Sequence, residues 1–487
     1  MASLEEIRSG RVEKLERFYK AAVNPYPVSD AGFIAIAEAR DKFSALKKRK
    51  SLAIAGRIIA MRSHGNSLFC DLSDGKNKFQ VYLKSDDCGS ESYKFFTETV
   101  DIGDFCQFSG RLFLTKKKEK TLLAADWRML AKSLRPLPEK WHGLQDVEER
   151  FRRRYLDLLS NHEIRDRFEL RSRLLSELRL FLDKDGFQEV ETPILHSLAG
   201  GAAANPFKTY YNALEMDIYL RIAPELFLKR LLVGGFNKIY EIGRNFRNEG
   251  IDATHNPEFT MLELYESFSR AELHKAFLEK LIRHLAKTLK KSLKIKYQDS
   301  EINFSKKFSA LTFEEVLSRF ALINNYQKIP RSDLNIKAKQ FGIDTQDKES
   351  KGKIAEKIFA KICRPKIVQP TFVSYYPLEI LPLAKASETK PGFADMYQLI
   401  VGGLEIAKGF SELNDPLEQR RRFEAGEEMR KAGDEEASRF DQDFLEALEY
   451  GMPPAAGLGI GIDRLVMLFT DSSNIREVIF FPTLRPK

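Results

Sequence analysis

A chain of 487 residues with 43% hydrophobic side chains is long enough for two or three domains, and it holds no run of about 18 apolar residues that would span a membrane. The opening MASLEEIRSGRVEKLERFYK is neither a signal nor a transit peptide. The four scattered cysteines (Cys70, Cys88, Cys106, Cys363) form no CxxC pair and the seven histidines show no ligand spacing, which together point to a reduced cytoplasm and away from structural zinc. Of the net charge of +9, residues 1–150 carry most, with 27 Lys+Arg against 21 Asp+Glu, as a polyanion-binding module would.

Residues 3–20 predict a helix, because Leu4, Ile7, Val12, Leu15 and Phe18 recur at helical intervals. Asn24-Pro25-Tyr26-Pro27 breaks it, and a second helix is expected over 30–46, ending in Lys47-Lys48-Arg49-Lys50. Strands are expected at 52–62, 66–73, 78–84, 104–114 and 120–130, with a turn at Asp74-Gly75 and a helix near 90–98. Three strands, a helix and two strands is the order of an OB-fold barrel, which binds single-stranded nucleic acid through aromatics above a basic groove. Phe69 and Gln80 lie on adjacent strands. From the residues alone, Phe69 reads as barrel core. Lys116 to Lys118 forms a basic hairpin tip.

Residues 132–150, with Arg135-Pro136-Leu137-Pro138, read as a linker. A long amphipathic helix follows over 163–184 and ends at Gly186; a short strand covers 187–190. Gly200 to Phe207 is a small-residue loop that lets backbone approach a ligand, and Arg221 to Glu225 follows a strand and opens a helix. Ile239 to Gly243 and Glu258 to Tyr265 read as strands joined by a long polar loop. That arrangement can hold Arg247, Glu249, His255, Phe259 and Glu263 around one cavity. Arg247 offers a planar fork for phosphate or carboxylate, Phe259 a face for a base, and Glu263 an acceptor for a cation. A plain salt-bridged hairpin is disfavoured, since carboxylates alternating with Phe and Met share a partly buried face.

Residues 271–370 read as a mainly helical insertion. Strands return over 372–413, at 377–379, 397–401 and 404–413, with Gly402-Gly403 as a two-residue turn. In that register Gln398 faces Ala407 and Ile400 faces Glu405. Gln398 and Glu405 then share one sheet face, with Lys408, Phe410 and Glu412 on the other, unless a bulge intervenes. Residues 417–450 are a charged helical stretch. Leu458 to Ile462 is a glycine-alternating strand, and Asp463-Arg464 opens a helix where an arginine suits a nucleotide phosphate.

FRNEG (246–250) followed by HNPEFTMLELY (255–265) resembles motif 2 of a class II aminoacyl-tRNA synthetase, specifically the lysyl-tRNA synthetases. Residues 163–193 resemble motif 1, and GMPPAAGLGIGIDRLVMLF (451–469) resembles motif 3, so the likeness covers nearly the whole chain. It implies an α+β chain: a helical extension (1–50), an OB-fold anticodon-binding barrel (51–132), a linker (133–150) and a class II antiparallel-sheet catalytic domain (151–487). The implied activity is lysine–tRNA ligation in the cytoplasm, by a homodimer, with lysine, ATP and tRNA(Lys) as substrates and Mg²⁺ on the ATP.

By the same resemblance, Arg247 holds the α-phosphate and the lysine carboxylate, Glu249 and Phe259 take adenine, His255 lies at the ATP, and Arg464 holds the γ-phosphate. Gly201 and Glu225 receive the α-amino end of lysine, and Glu263, Tyr265, Phe410 and Glu412 its ε-ammonium. Phe69 and Gln80 read the central anticodon base, with Asp126 where the family has Glu. Two further departures stand out. The family carries Glu, which with Glu405 holds Mg²⁺, where this chain has Gln398, and it carries Asn, near the substrate carboxylate, where this chain has Lys408. Lys408 is therefore expected to offset a weakened metal site. The alternatives are a divergent paralogue that only binds tRNA or protein, and an enzyme that lysylates a protein, although relatives of that kind lack the barrel.

Overall fold

The computed structural model describes residues 3–28, 32–138, 144, 146–434, 437 and 439–486. The start of the expected second helix (30–31) and part of the expected linker (139–143 and 145) lie outside the described residues. The chain divides into two compact units, Met1–Glu163 and Ile164–Lys487.

In the first unit the helix Leu4–Lys20 starts at a reciprocal cap between Ser3 and Glu6 and buries Phe18. The expected second helix resolves into two short ones, Ile36–Asp41 and Phe43–Leu46. Five strands, β1 (Leu52–His64), β2 (Ser67–Ser73), β3 (Lys78–Lys84), β4 (Phe105–Leu114) and β5 (Lys120–Ala131), close into a barrel in the order β1-β2-β3-β5-β4. Alternation fills its interior: Ile54 and Ile58 from β1, Leu72 from β2, Val81 and Leu83 from β3, and Cys106 and Phe108 from β4 are all buried. The helix Ser90–Thr99 lies between β3 and β4 in sequence, and its Phe96 packs edge-on against Trp127. At Gly110 a side chain would collide with the Leu123 carbonyl, and the β4–β5 register shifts at that point.

The second unit is built on β6 (Gln188–Glu189), β7 (Leu195–His196), β8 (Lys208–Tyr211), β9 (Met216–Leu220), β10 (Lys238–Phe246), β11 (Glu258–Ser267), β12 (Lys294–Tyr297), β13 (Ser300–Asn303), β14 (Ser309–Thr312), β15 (Thr371–Ser374), β16 (Met396–Val401), β17 (Leu404–Ser411) and β18 (Ala455–Gly461). Eight of them form one sheet in the order β14-β15-β16-β17-β18-β11-β10-β6, parallel only at its two edge pairs. Its two faces differ in chemistry because side chains alternate. Tyr240, Leu262, Leu264, Leu399, Leu458 and Ile460 point into a core shared with the helices His162–Lys184, Ala271–Lys290 and Ile462–Thr470. Met261, Glu263, Tyr265 and Gly459 point the other way, into a cavity.

Three expectations are corrected here. Residues 271–370 include the helices Ala271–Lys290, Phe313–Ala321, Arg331–Gln340 and Lys351–Ile358, but also the β12–β13 hairpin and β14, which joins the main sheet. Residues 377–379 form no strand. Leu378–Ile380 is a 3₁₀ turn, entered through Pro377, which has no N–H to give a ladder. The hairpin of β16 and β17 has a register shift between Leu399 and Ile400. Ile400 still faces Glu405, but Leu399 faces Ala407 and Gln398 faces Lys408, with Ile406 as the extra residue. One inserted residue reverses the alternation, so Glu405 and Lys408 line the same cavity. No helix among the described residues is long and apolar enough to cross a membrane.

Candidate active site

Arg247 stands just past β10, where its backbone N–H donates to the Pro257 carbonyl at 2.8 Å and closes the loop mouth. Its guanidinium carbon lies 5.1 Å from the centre of the Phe259 ring. The guanidinium Nε is buried without a hydrogen-bond partner among the described residues. Burial pulls its pKa below the ordinary value, against the opposing pull of Glu249, Glu263 and Glu405. A buried donor left unpaired next to carboxylates is suited to an anionic ligand.

The cavity in front of Arg247 has a volume of about 330 Å³. One end is carboxylate-rich. Glu263, opposite Glu241 in the β10–β11 ladder, accepts from the Tyr265 hydroxyl at 3.1 Å. Glu225 opens the helix Glu225–Val233, and Glu412 follows β17 with its backbone N–H on the Ala455 carbonyl at 2.8 Å. Glu412 does not itself line the cavity but lies behind Gly457, its Oε1 buried without a hydrogen-bond partner among the described residues. Burial raises Glu263 to about 8, reinforced by the neighbouring Glu225, and pushes Glu412 up as well, against the opposing pull of Lys229. Gly457 leaves room for this arrangement, since a Cβ there would lie 2.2 Å from Glu412 Oε1 and 2.6 Å from the Tyr265 ring. Gly201, at φ +89°, brings the loop backbone against Glu225 and Ala223.

At the other end, Arg464 lies in the first turn of the helix Ile462–Thr470. Its Nη2 donates to His255 Nε2 at 2.8 Å, its Nε to the Thr254 carbonyl at 3.3 Å, and its Nη1 to the Glu405 carbonyl at 3.3 Å. His255 Nδ1 lies 2.8 Å from the Asp252 carboxylate. The proton therefore rests on Nδ1, and the Nε2 lone pair faces Arg464. Asp463 fixes the helix start by accepting from the Thr260 N–H at 2.7 Å and from Arg171 at 2.6 Å. Glu249, Phe259, Glu405, Lys408 and Phe410 also line the cavity. Gln398 does not. Its side-chain oxygen accepts from the buried Tyr376 hydroxyl at 2.9 Å, while Glu405 pairs with Arg364 at 3.4 Å.

Sequence reasoning gives no site role to Lys229, Arg364, Asp252 or Asp463. For Lys229 the available signal is the i, i+4 spacing from Glu225 inside a helix, ELFLKRLLV, that is apolar apart from these two and Arg230.

In the barrel unit, Phe69 lies outside the core and stacks on Tyr82 at 4.4 Å, with Phe113 6.3 Å beyond Tyr82. Phe69 pairs with Tyr82 and Gln80 with Asp71, so Phe69 and Gln80 are diagonal neighbours on one face. Gln80 accepts from Thr121 at 2.9 Å, and Arg62, opposite Phe69, pairs with Asp71 at 3.0 Å. Asp126 is exposed on β5, opposite Ser109.

An antiparallel sheet with an arginine-bearing loop, a glycine strand and an arginine-led helix matches a known architecture. Residues 146–485 match the family model of class II tRNA synthetases (D, K and N), and residues 52–130 match that of the OB-fold nucleic acid binding domain. The chain belongs to the class II tRNA synthetases. Among similar proteins, the lysine–tRNA ligase of Carboxydothermus hydrogenoformans is 46% identical over 99% of both chains. That of Moorella thermoacetica is 45% identical over 99% of this chain and 98% of its own. Within its class, the chain is a member of the lysine–tRNA ligase family.

Proposed function

We propose that this chain activates lysine with ATP in the cavity of its second unit and passes the lysyl group to tRNA(Lys). The observation that carries the reading is Arg247: a half-buried arginine whose buried Nε has no partner among the described residues, over Phe259, between a group of buried carboxylates and Arg464. The ε-ammonium of lysine enters among Glu263, Tyr265 and Glu412, and its α-ammonium meets Glu225 beside Gly201. The lysine carboxylate lies against Arg247 and attacks the α-phosphorus of ATP. The P–O bond to the β-phosphate breaks, and pyrophosphate leaves toward Arg464 and His255 with the bonding electrons. A terminal tRNA hydroxyl then attacks the mixed-anhydride carbonyl, releasing AMP and the hydroxyl proton. Positioning and charge neutralisation carry both steps, without a side-chain nucleophile.

ATP is used with Mg²⁺ in this family. Mg²⁺ needs one or two carboxylates beside the substrate phosphates, so Glu405 at the cavity wall fits as one ligand, whereas Gln398, neutral and turned to Tyr376, does not supply the second. When bound, the ion supplies positive charge at the phosphates. Lys408, brought to the same cavity by the bulge, supplies fixed positive charge where the second carboxylate is missing.

The barrel face of Phe69, Tyr82 and Gln80 reads an anticodon base, with Asp126 at its margin. A second copy of the chain is expected over the sheet of β7, β9 and β8, where Leu195, Tyr210, Tyr211 and Leu214 are 44–62% exposed. The site of action is the cytoplasm. Lysine-dependent exchange of pyrophosphate into ATP tests the first step, and charging of tRNA(Lys) tests the second. Absence of both at any Mg²⁺ concentration would refute the reading.

A further inference from the structure

Lys229 is unusual for its kind. Its side chain is 0% exposed, in a helix whose other buried positions are Glu225 and three leucines. Its Nζ lies 2.6 Å from Glu225 Oε1, forms a second ion pair with Glu412 Oε2, and stands 5.4 Å from the centre of the Phe410 ring. One buried ammonium thus joins two carboxylates on different elements, one heading a helix and one following β17. Of the two, Glu225 lines the cavity end where the ammonium groups of lysine are placed, and Glu412 lies directly behind its wall at Gly457.

The charges show what the pocket lacks. Once Glu225, Glu263 and Glu412 are all ionised, they outnumber Lys229 and Arg247, and the five groups are one positive charge short. Glu241 is spent on Arg221, and Tyr265 is neutral. Free lysine carries two ammonium groups and one carboxylate, and so brings the missing charge. A neutral zwitterion does not, and would leave a buried carboxylate unpaired.

We propose that Lys229 is a positioning and specificity residue: a built-in ammonium that ties the acceptor of the substrate's α-ammonium, Glu225, to the acceptor of its ε-ammonium, Glu412. It fixes the spacing between the two ends and sets the charge that the substrate must supply. The proposal rests on the placement of lysine in this cavity. Burial alone would depress the Lys229 ammonium, but Glu225 and Glu412 outweigh burial and hold its pKa above the ordinary value. Lys229 therefore remains a cation, whereas burial pushes Glu263 and Glu412 toward their protonated forms and an arriving ammonium favours their ionised ones.

The test compares Lys229→Met, Glu412→Gln and the double variant in lysine-dependent pyrophosphate exchange. Proton release on lysine binding is measured alongside, by calorimetry in two buffers of different ionisation enthalpy. Lys229→Met should raise the KM for lysine at least 30-fold, leave the KM for ATP within twofold, and increase the protons released per lysine at pH 7. A purely structural lysine would change both KM values together and leave the proton count alone, which would overturn the proposal. Should the single variant fail to fold, the double variant decides. There the Lys229 change should weaken lysine binding less than threefold beyond Glu412→Gln alone, and a further tenfold loss would overturn the coupling. If Glu412→Gln raises the lysine KM and Lys229→Met does not, the role of Lys229 fails and the pocket stands. If neither moves it, the placement of lysine fails.

Discussion

Two buried carboxylates with raised pKa values give the cavity a pH signature. Burial lifts Glu263 from an ordinary 4.5 to about 8, with Glu225 adding to the rise, and lifts Glu412 in the same direction although Lys229 opposes it. A carboxylate that holds its proton more tightly when folded contributes its stability below its unfolded pKa and loses it as the pH climbs through the folded pKa. The empty protein should therefore lose stability between about pH 4.5 and 8 on account of these two groups. Lysine binds their ionised forms, so the rise in Tm that it causes should be larger at pH 8 than at pH 6. Thermal melts with and without lysine at the two pH values check this, and an equal rise at both would contradict it.

The residues that motif patterns fix on one short stretch, from Arg247 through Phe259 to Glu263, were legible because two strands and one loop hold them. Lys229 was not, since nothing in a single sequence says that a helix lysine turns inward to a carboxylate 183 positions later.

At the scale of elements, one bulge decides the chemistry of the β16–β17 hairpin. A two-residue turn counted along the sequence put Lys408 on the face away from Glu405. The extra residue Ile406 restores it to the Glu405 side and sets it opposite Gln398. Bulges depend on how a strand fits its neighbours, here β18 as well as β16, so residue types along β17 alone do not reveal them. The consequence is measurable. If Lys408 supplies charge that a second carboxylate-bound metal would otherwise provide, Lys408→Asn should slow pyrophosphate exchange and raise the Mg²⁺ concentration needed for half-maximal rate. An unchanged rate and Mg²⁺ dependence would exclude that role. The barrel strands, by contrast, were legible almost to the residue. Alternation over β1 to β5 has a period of two, and Asp74-Gly75 marks the β2–β3 turn. The face that Phe69 occupies was not legible from those residues, which fitted barrel core as well; the family resemblance pointed outward, and the half-exposed ring stacked on Tyr82 agrees with it.

On the scale of the whole molecule, the two units divide the labour: a barrel with an aromatic outer face, and a sheet domain with a charged cavity. Phe69→Ala should weaken charging of tRNA(Lys) by about 5- to 150-fold, from ~1–3 kcal/mol of base stacking, while leaving lysine-dependent pyrophosphate exchange within twofold. Exchange and charging falling together would mean that the division is wrong. The central claim is that the cavity around Arg247 performs adenylate formation. Its most direct test is lysine-dependent pyrophosphate exchange for the wild-type chain and for Arg247→Ala, with circular dichroism to verify folding. Loss of two charge-assisted hydrogen bonds at ~1.5–3 kcal/mol each predicts a fall of about a hundredfold or more in the folded variant. Near-normal exchange in a folded Arg247→Ala protein would contradict the claim.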